Sequence, residues 1–179
     1  MNPKKISNII KHYKKLRQEH PDTWIEYCKN QEKLEDAIVY AALAENHLGK
    51  RNNHQKRRKK INLEKFAANL VDKKSEIQRA NSFDELLIIV ENCKISGIGP
   101  LTCYDTTQRI GAKIKLFPEH IYLHAGTKIG AEKLFGKRLK VKFIDKTDLP
   151  SPFQNVTLTN AEIEDILCIY KDRFEKFEL

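Results

Sequence analysis

The stretch Ile95–Gly111, ISGIGPLTCYDTTQRIG, decides the fold, because it places two glycines in a turn between helical segments. Gly97 and Gly99 lie on either side of Ile98. Glycine permits positive φ and close approach of the backbone, and an apolar residue between the glycines can anchor the turn in a core. Pro100 follows directly, at a position where proline favours the first turn of a helix. We therefore expect a tight hairpin here.

Helices are expected on both sides of this hairpin. Upstream, Ser82 and Glu85 have the spacing of a capping box ahead of an apolar run. Downstream, the pattern predicts a helix over about residues 101–110 that ends at Gly111. Residues 83–111 are therefore predicted to form two helices joined by this hairpin.

This arrangement resembles the helix-hairpin-helix family, in which a Gly-hydrophobic-Gly hairpin joins two short helices. The residues that match, in order, are Gly97, Ile98 and Gly99, followed by Leu101 and Thr102. Ser96 stands where proline is commoner. The resemblance covers about residues 83–110 and implies DNA binding without sequence specificity, because backbone amides of the hairpin and of the next helix contact phosphates. A purely structural turn packed on the core is the alternative.

The same region is remotely similar to the helix-hairpin-helix region of DNA glycosylases. In those enzymes a lysine follows the second glycine by two positions, and an aspartate lies further on, after a Gly/Pro-rich loop. Leu101 occupies the lysine position here, and the stretch FPEHIYLHAG contains Glu119 but no aspartate. Glu119 could act as a catalytic carboxylate only if it were buried in a pocket for a base. The motif alone therefore implies no catalysis.

The charge distribution favours a polyanionic partner. The chain has 33 Lys and Arg against 24 Asp and Glu, a formal net charge of +9. Residues 1–60 hold 15 basic and 7 acidic side chains, so the excess is local. The segment 49–60, GKRNNHQKRRKK, has no hydrophobic residue and is predicted to be an exposed basic loop. Predicted DNA contacts outside the hairpin are Lys50, Arg51, Lys56, Arg57, Arg58, Arg109 and Lys113.

Several polar clusters have competing interpretations. Glu45 and His47 could perform acid/base chemistry on a phosphodiester, but a solvated basic loop explains the stretch as well. Asp105 and Arg109 are spaced as a surface ion pair on one helix face. A second group of cations could either contact DNA or form the solvated face of a strand. Its members are Lys137, Arg138, Lys140, Lys142 and Lys146.

No metal site is predicted from the histidines or cysteines. His120 and His124 have a spacing that binds metal on a helix, but Pro118 and Ile121 disfavour a helix there, so local loop histidines are expected. The four cysteines are far apart in apolar contexts and are predicted to be reduced, buried thiols. They are Cys28, Cys93, Cys103 and Cys168.

Hydrophobic spacing predicts further helices. They cover residues 6–16, 24–49 as two helices or one broken helix, 63–75 with Asn62 as cap, 128–135 with Thr127 as cap, and 159–177 with a Thr159/Glu162 capping box. At most a small strand element is expected near residues 139–144. The predicted fold is mostly α, a multi-helix single domain over residues 1–179, in which residues 1–60 supply basic N-terminal helices and a loop.

The sequence therefore predicts a protein that binds duplex or structured DNA through hairpin amides and a basic loop. No run approaches the roughly 20 apolar residues of a membrane span and no secretory signal is evident, so a cytoplasmic protein without a cofactor is expected. Two other classes stay open. One is a DNA repair-type enzyme, glycosylase-like or a nuclease, and the other is a module that binds protein or RNA.

Overall fold

The structure, a computed structural model, describes residues 1–176 and is mostly helical, as predicted, with 62% of residues in helices. Within the described chain the α-helices are α1 (Pro3–Glu19), α2 (Thr23–Lys29), α3 (Leu34–Leu43), α4 (Lys60–Asp72), α5 (Lys74–Arg79), α6 (Phe83–Asn92), α7 (Pro100–Ile114), α8 (Ala125–Phe135) and α9 (Asn160–Ile169). Strands β1 (Ile121–Tyr122) and β2 (Phe143–Ile144) form one small antiparallel pair. None of these helices is long and apolar enough to cross a membrane.

The chain folds into two compact units, each with its own hydrophobic core. We call Asp22–Phe117 the hairpin unit, and Met1–Pro21 together with the chain from Pro118 onward the terminal unit. The single domain expected from chain length stays a prediction.

The hairpin unit is built around α7. Helices α2, α3 and α6 pack against α7, and α4 packs against α3. The apolar stripes predicted from helical spacing supply the core, because their residues recur on one face of each helix. Its most buried members include Ile38, Leu63, Phe66, Leu70, Leu86 and Ile110.

The terminal unit packs α8 against α9, with α1 and the strand pair around them. In the strand pair, Ile121 lies opposite Ile144 and Tyr122 opposite Phe143. The predicted capping box at the start of α9 is confirmed, because Thr159 and Glu162 each accept a hydrogen bond from the backbone of the other.

Several predicted boundaries are wrong for identifiable reasons. Helix α3 ends at Leu43 rather than at Gly49, because Ala44 adopts a left-handed conformation with φ 56°. Asn62 does not cap α4, because the helix begins two residues earlier, at Lys60. The Asn62 side chain donates a hydrogen bond to the hairpin instead. Gly111 lies inside α7, where its lack of a side chain lets the Leu116 carbonyl approach.

Three further differences from the prediction are one additional short helix and two helix boundaries in the second half of the chain. Helix α5 is absent from the predicted elements, and α8 begins at Ala125 with Thr127 buried inside it, although its end at Gly136 is confirmed. The small strand element expected near residues 139–144 is confirmed at Phe143–Ile144. The C-terminal helix ends at Ile169 instead of continuing over 159–177, and residue 177 lies outside the described chain.

Candidate nucleic-acid interface

The hairpin between α6 and α7 has the conformation that its glycines were expected to allow. Gly97 has φ +91°, and a Cβ added there would lie 2.5 Å from Asn62 Nδ2. The backbone angle therefore favours glycine at this position, and a side chain there would also displace the Asn62 amide. The Ile98 side chain is only 6% exposed and joins the core of the hairpin unit, and its amide donates to the Ile95 carbonyl at 3.0 Å. The predicted role of Ile98 as the anchor of the turn is confirmed.

The start of α7 presents backbone amides without a capping side chain. Gly99 is the N-cap residue, with extended backbone at φ −95° and ψ 171°, and no side chain caps this helix. The first amides of a helix have no acceptor within the helix, and they carry the positive end of its dipole. Leu101 is half-buried and the Thr102 side chain is buried, so only their backbone amides are candidate contacts. A Cβ at Gly99 would meet nothing within 4 Å, so the space beside this N-cap residue is open.

The basic loop, residues 49–60, contacts the hairpin directly. Arg58 Nη1 donates to the Gly97 carbonyl at 3.3 Å. From the first turn of α4, Asn62 Nδ2 donates to the Ser96 carbonyl at 3.2 Å. Arg51 Nη1 in turn donates to the Arg58 carbonyl at 3.4 Å. Two carbonyls of the hairpin are therefore occupied by donors, and the Ile98 amide is bonded to the Ile95 carbonyl, so the candidate donors to an anion are the uncapped amides at the start of α7.

A buried polar network holds the basic loop on α7. Gln55 is 0% exposed, and its Nε2 donates to Asp105 Oδ2 at 2.7 Å. His54 Nδ1 lies 3.0 Å from the same oxygen. Beneath them, Arg109 Nη2 donates to Gln55 Oε1 at 3.3 Å and Arg109 Nη1 to the Ala41 carbonyl at 3.2 Å. A loop without a hydrophobic residue is thereby attached to the core through hydrogen bonds.

The electrostatics of this network keep Asp105 ionised. Burial by itself would raise the pKa of the carboxyl group. Three interactions outweigh this effect of burial: the hydrogen bond from His54, the nearby charge of Arg109 and the hydrogen bond from Gln55. Together they hold the pKa of Asp105 below its usual value. The carboxylate is therefore a fixed acceptor around which the loop residues are arranged.

The surface positions expected for Asp105 and Arg109 are wrong. Both side chains are buried, Asp105 at 9% exposure and Arg109 at 3%, because they point into the hairpin unit toward Gln55. Lys113 Nζ donates to the Gln31 carbonyl. Arg109 and Lys113 therefore stabilise the unit, and we do not include them in the interface.

Most of the remaining predicted contacts are exposed to solvent, but one of them is paired with a carboxylate of the protein. Of the predicted contacts in the basic loop, Lys50, Lys56, Arg57 and Arg58 are exposed. Arg51 is half-buried and lies 3.7 Å from the carboxylate of Glu45, its partner across the turn. Ser96 and Gly97 are exposed at the tip of the hairpin. The structure thus places the hairpin next to the basic loop, although about 40 residues separate them in the sequence.

The candidate catalytic residues are not assembled into a site. Glu45 is paired with Arg51, and the exposed His47 ring lies 6.3 Å from that of Tyr27. Glu119, in the terminal unit, is exposed rather than buried in a pocket. His120 precedes strand β1 and His124 is the N-cap residue of α8, so the two do not share a helix, and His120 Nδ1 lies 2.7 Å from Asp145 Oδ1. These residues carry no proposal of catalysis.

Gln55 and Asn62 support the candidate interface, and the sequence did not predict this role for either residue. No local pattern identifies them, because each bonds to a residue that is distant in sequence. In comparisons with protein-family models, curated proteins and solved structures, nothing matches this chain. The function is therefore inferred from the surface itself, on which uncapped helix amides lie beside exposed cations. Such a combination of donors binds oxyanions.

Proposed function

We propose that the protein binds DNA without sequence specificity, through the hairpin amides and the basic loop. The observation that carries this proposal is the hydrogen bond from Arg58 to the Gly97 carbonyl, because it joins the two predicted contact regions into one surface. A phosphodiester oxygen is the anion that this surface fits best, since it can accept from backbone amides while lysine and arginine neutralise its neighbours along the strand.

The chemistry of the surface accounts for the lack of sequence specificity. Backbone amides and flexible lysine or arginine side chains recognise phosphate and sugar, which every base sequence shares. Direct reading of bases requires side chains that enter a groove from a helix or a strand. The exposed residues at the hairpin tip are Ser96 and Gly97, which are too short to reach base edges. Duplex or structured DNA is therefore the proposed ligand.

A salt titration tests this proposal. Fluorescence anisotropy of a labelled duplex would give the affinity of the wild-type chain at several salt concentrations. The logarithm of the affinity should fall linearly with the logarithm of the salt concentration, since bound cations release counterions from DNA. The double variant Lys56→Gln with Arg57→Gln should reduce that slope by roughly 0.9 for each cation that contacts a phosphate.

Lys115→Gln is the matched control for the loss of a charge. Lys115 is exposed just beyond the last residue of α7, about 20 Å along the helix from the hairpin. This variant should bind as the wild type does. Salt-independent association, or an equal loss in the Lys115 variant, would contradict the proposal and favour a module that binds protein. Parallel titration with RNA, and inspection of the labelled DNA for cleaved or altered product, would reveal the other two classes.

A further inference from the structure

The strand pair of the terminal unit exposes an aromatic surface that the proposed duplex contact does not use. Phe143 is 39% exposed and its ring stacks on that of His120, with centroids 4.2 Å apart and planes 18° from parallel. Tyr122, which lies opposite Phe143 in the strand pair, is buried with its ring centroid 6.0 Å from that of Phe143. A large apolar ring is therefore held at the surface by aromatic neighbours.

Hydrogen bonds fix the ring that supports Phe143. His120 Nδ1 lies 2.7 Å from Asp145 Oδ1, and the Asp145 amide donates to Asp148 Oδ2 at 2.9 Å. Because the His120 ring is bonded to the Asp145 carboxylate, it cannot rotate away from Phe143 without breaking this hydrogen bond. The aromatic surface is thus ordered before any ligand binds, which lowers the entropy cost of binding.

Exposed positive charge directly precedes Phe143 in the chain. The segment 137–142, KRLKVK, has four cations and no carboxylate, and all four cations are exposed. Among the neighbouring acidic groups, Asp145 and Asp148 take part in the bonds that order this turn, and Glu119 is exposed beside His120. A ligand suited to this surface combines a flat apolar ring with a chain of negative charges.

We propose that this surface, formed by Phe143, His120 and the cations of residues 137–142, binds single-stranded DNA by stacking an unpaired base on Phe143. Every nucleobase has a flat face that stacks on an aromatic ring, and the linked phosphates pair with neighbouring lysines and arginines. A base inside a duplex is already stacked on both faces, so the ligand must offer an unpaired one. The proposal goes beyond the duplex contact of the hairpin unit and does not depend on it.

Two substitutions at Phe143 separate stacking from simple apolar contact. The chain of 179 residues would be titrated with a labelled single-stranded thymidine oligonucleotide of about 15 nucleotides and with a blunt duplex. Phe143→Leu, which retains an apolar side chain but has no ring, should weaken single-strand binding by about tenfold, while Phe143→Tyr should retain it. Duplex affinity should change little in either variant. Val156→Ala is the matched control, because Val156 is an exposed apolar side chain elsewhere in the same unit.

Each outcome supports or overturns the proposal. Wild-type single-strand affinity in the Leu variant, or an equal loss of single-strand and duplex binding, would overturn it. If circular dichroism shows that the Leu variant has lost its fold, the exposed pair Lys140→Gln with Lys142→Gln decides instead. That pair should lower the salt slope for the single strand by roughly 0.7 for each cation in contact, and an unchanged slope would overturn the proposal. Failure of the hairpin proposal would be seen separately, as a duplex affinity that does not change when Lys56 and Arg57 of the basic loop are substituted.

Discussion

Asp105 is the residue on which the position of the basic loop most depends. One of its carboxylate oxygens serves both Gln55 and His54 of that loop, while the Arg109 guanidinium lies on the buried side. A charged network of this kind contributes little at the surface, but removal of one charge inside a protein leaves a neighbouring buried charge uncompensated. The network therefore links a surface loop to the stability of the core.

Asp105→Asn is predicted to lower the free energy of unfolding by about 2–4 kcal/mol, because it leaves Arg109 buried without its counter-charge. The folded pKa of Asp105 lies below the value of about 3.9 in an unfolded chain. Its stabilising contribution is therefore complete above that value and is lost as the pH falls through the folded pKa.

Urea unfolding of both proteins between about pH 3 and pH 5 measures this dependence. The difference in the free energy of unfolding between wild type and variant should persist at pH 5 and shrink as the pH falls below about 4. A difference that stays constant over this range would contradict an ionised Asp105 in the folded protein.

Sequence reasoning identified the glycines of the hairpin but misplaced the buried network. Gly97 and Ile98 could be predicted, because a turn with positive φ and one apolar anchor is a local requirement. The spacing of Asp105 and Arg109 is equally local, yet it is compatible with a surface ion pair or with two residues sharing a buried partner. The partner is Gln55, about 50 residues away, and nothing in the intervening sequence specifies that contact.

At the scale of elements, the two capping-box signals predicted helix starts correctly, whereas the single caps Asn62 and Thr127 and the stop signals Gly49 and Gly111 did not. The Ser82 hydroxyl accepts from the Glu85 amide as expected, while the Glu85 carboxylate bonds to Asn81 instead of completing the box. Gly111 failed as a stop signal because a glycine inside a helix can also serve close packing. Side-chain caps act within four residues, whereas packing depends on tertiary contacts that the local sequence does not contain.

The basic loop is an element whose conformation depends on one buried side chain. Gln55→Leu should detach the loop from α7, because leucine can neither donate to Asp105 nor accept from Arg109. We expect weaker duplex binding by about threefold to tenfold, since the loop cations lose their fixed position beside the hairpin. The single tryptophan, Trp24, donates to the Lys50 carbonyl at 2.9 Å, so its fluorescence reports on the loop.

Emission spectra and anisotropy titrations of this variant would be recorded on the same samples. A shift of tryptophan emission accompanied by weaker binding agrees with the prediction. Unchanged emission and affinity would mean that the buried glutamine does not position the loop.

At the scale of the whole molecule, the two units have separate cores and separate candidate contacts. The hairpin unit holds the uncapped start of α7 and the basic loop, and the terminal unit holds the aromatic surface at Phe143. Sequence composition located the positive charge of residues 1–60 correctly. It could not show which cations are exposed, because Arg51, Arg109 and Lys113 are engaged with groups of the protein itself.

Gly99→Asp should separate folding from DNA binding. Gly99 has the extended backbone of an N-cap residue and open space for a side chain, so aspartate can accept from the amides of Leu101 or Thr102. The free energy of unfolding should rise by about 0.5 kcal/mol, because a carboxylate caps the helix and interacts with its dipole. The same carboxylate occupies the amides proposed for phosphate.

The decisive measurement is the duplex affinity of Gly99→Asp by fluorescence anisotropy, with thermal unfolding of the same samples and Gly99→Asn as the uncharged cap. We predict an affinity about tenfold or more below wild type in a protein at least as stable, with a smaller loss for asparagine. Wild-type affinity in the folded aspartate variant would contradict the account, and the hairpin would then be a structural turn.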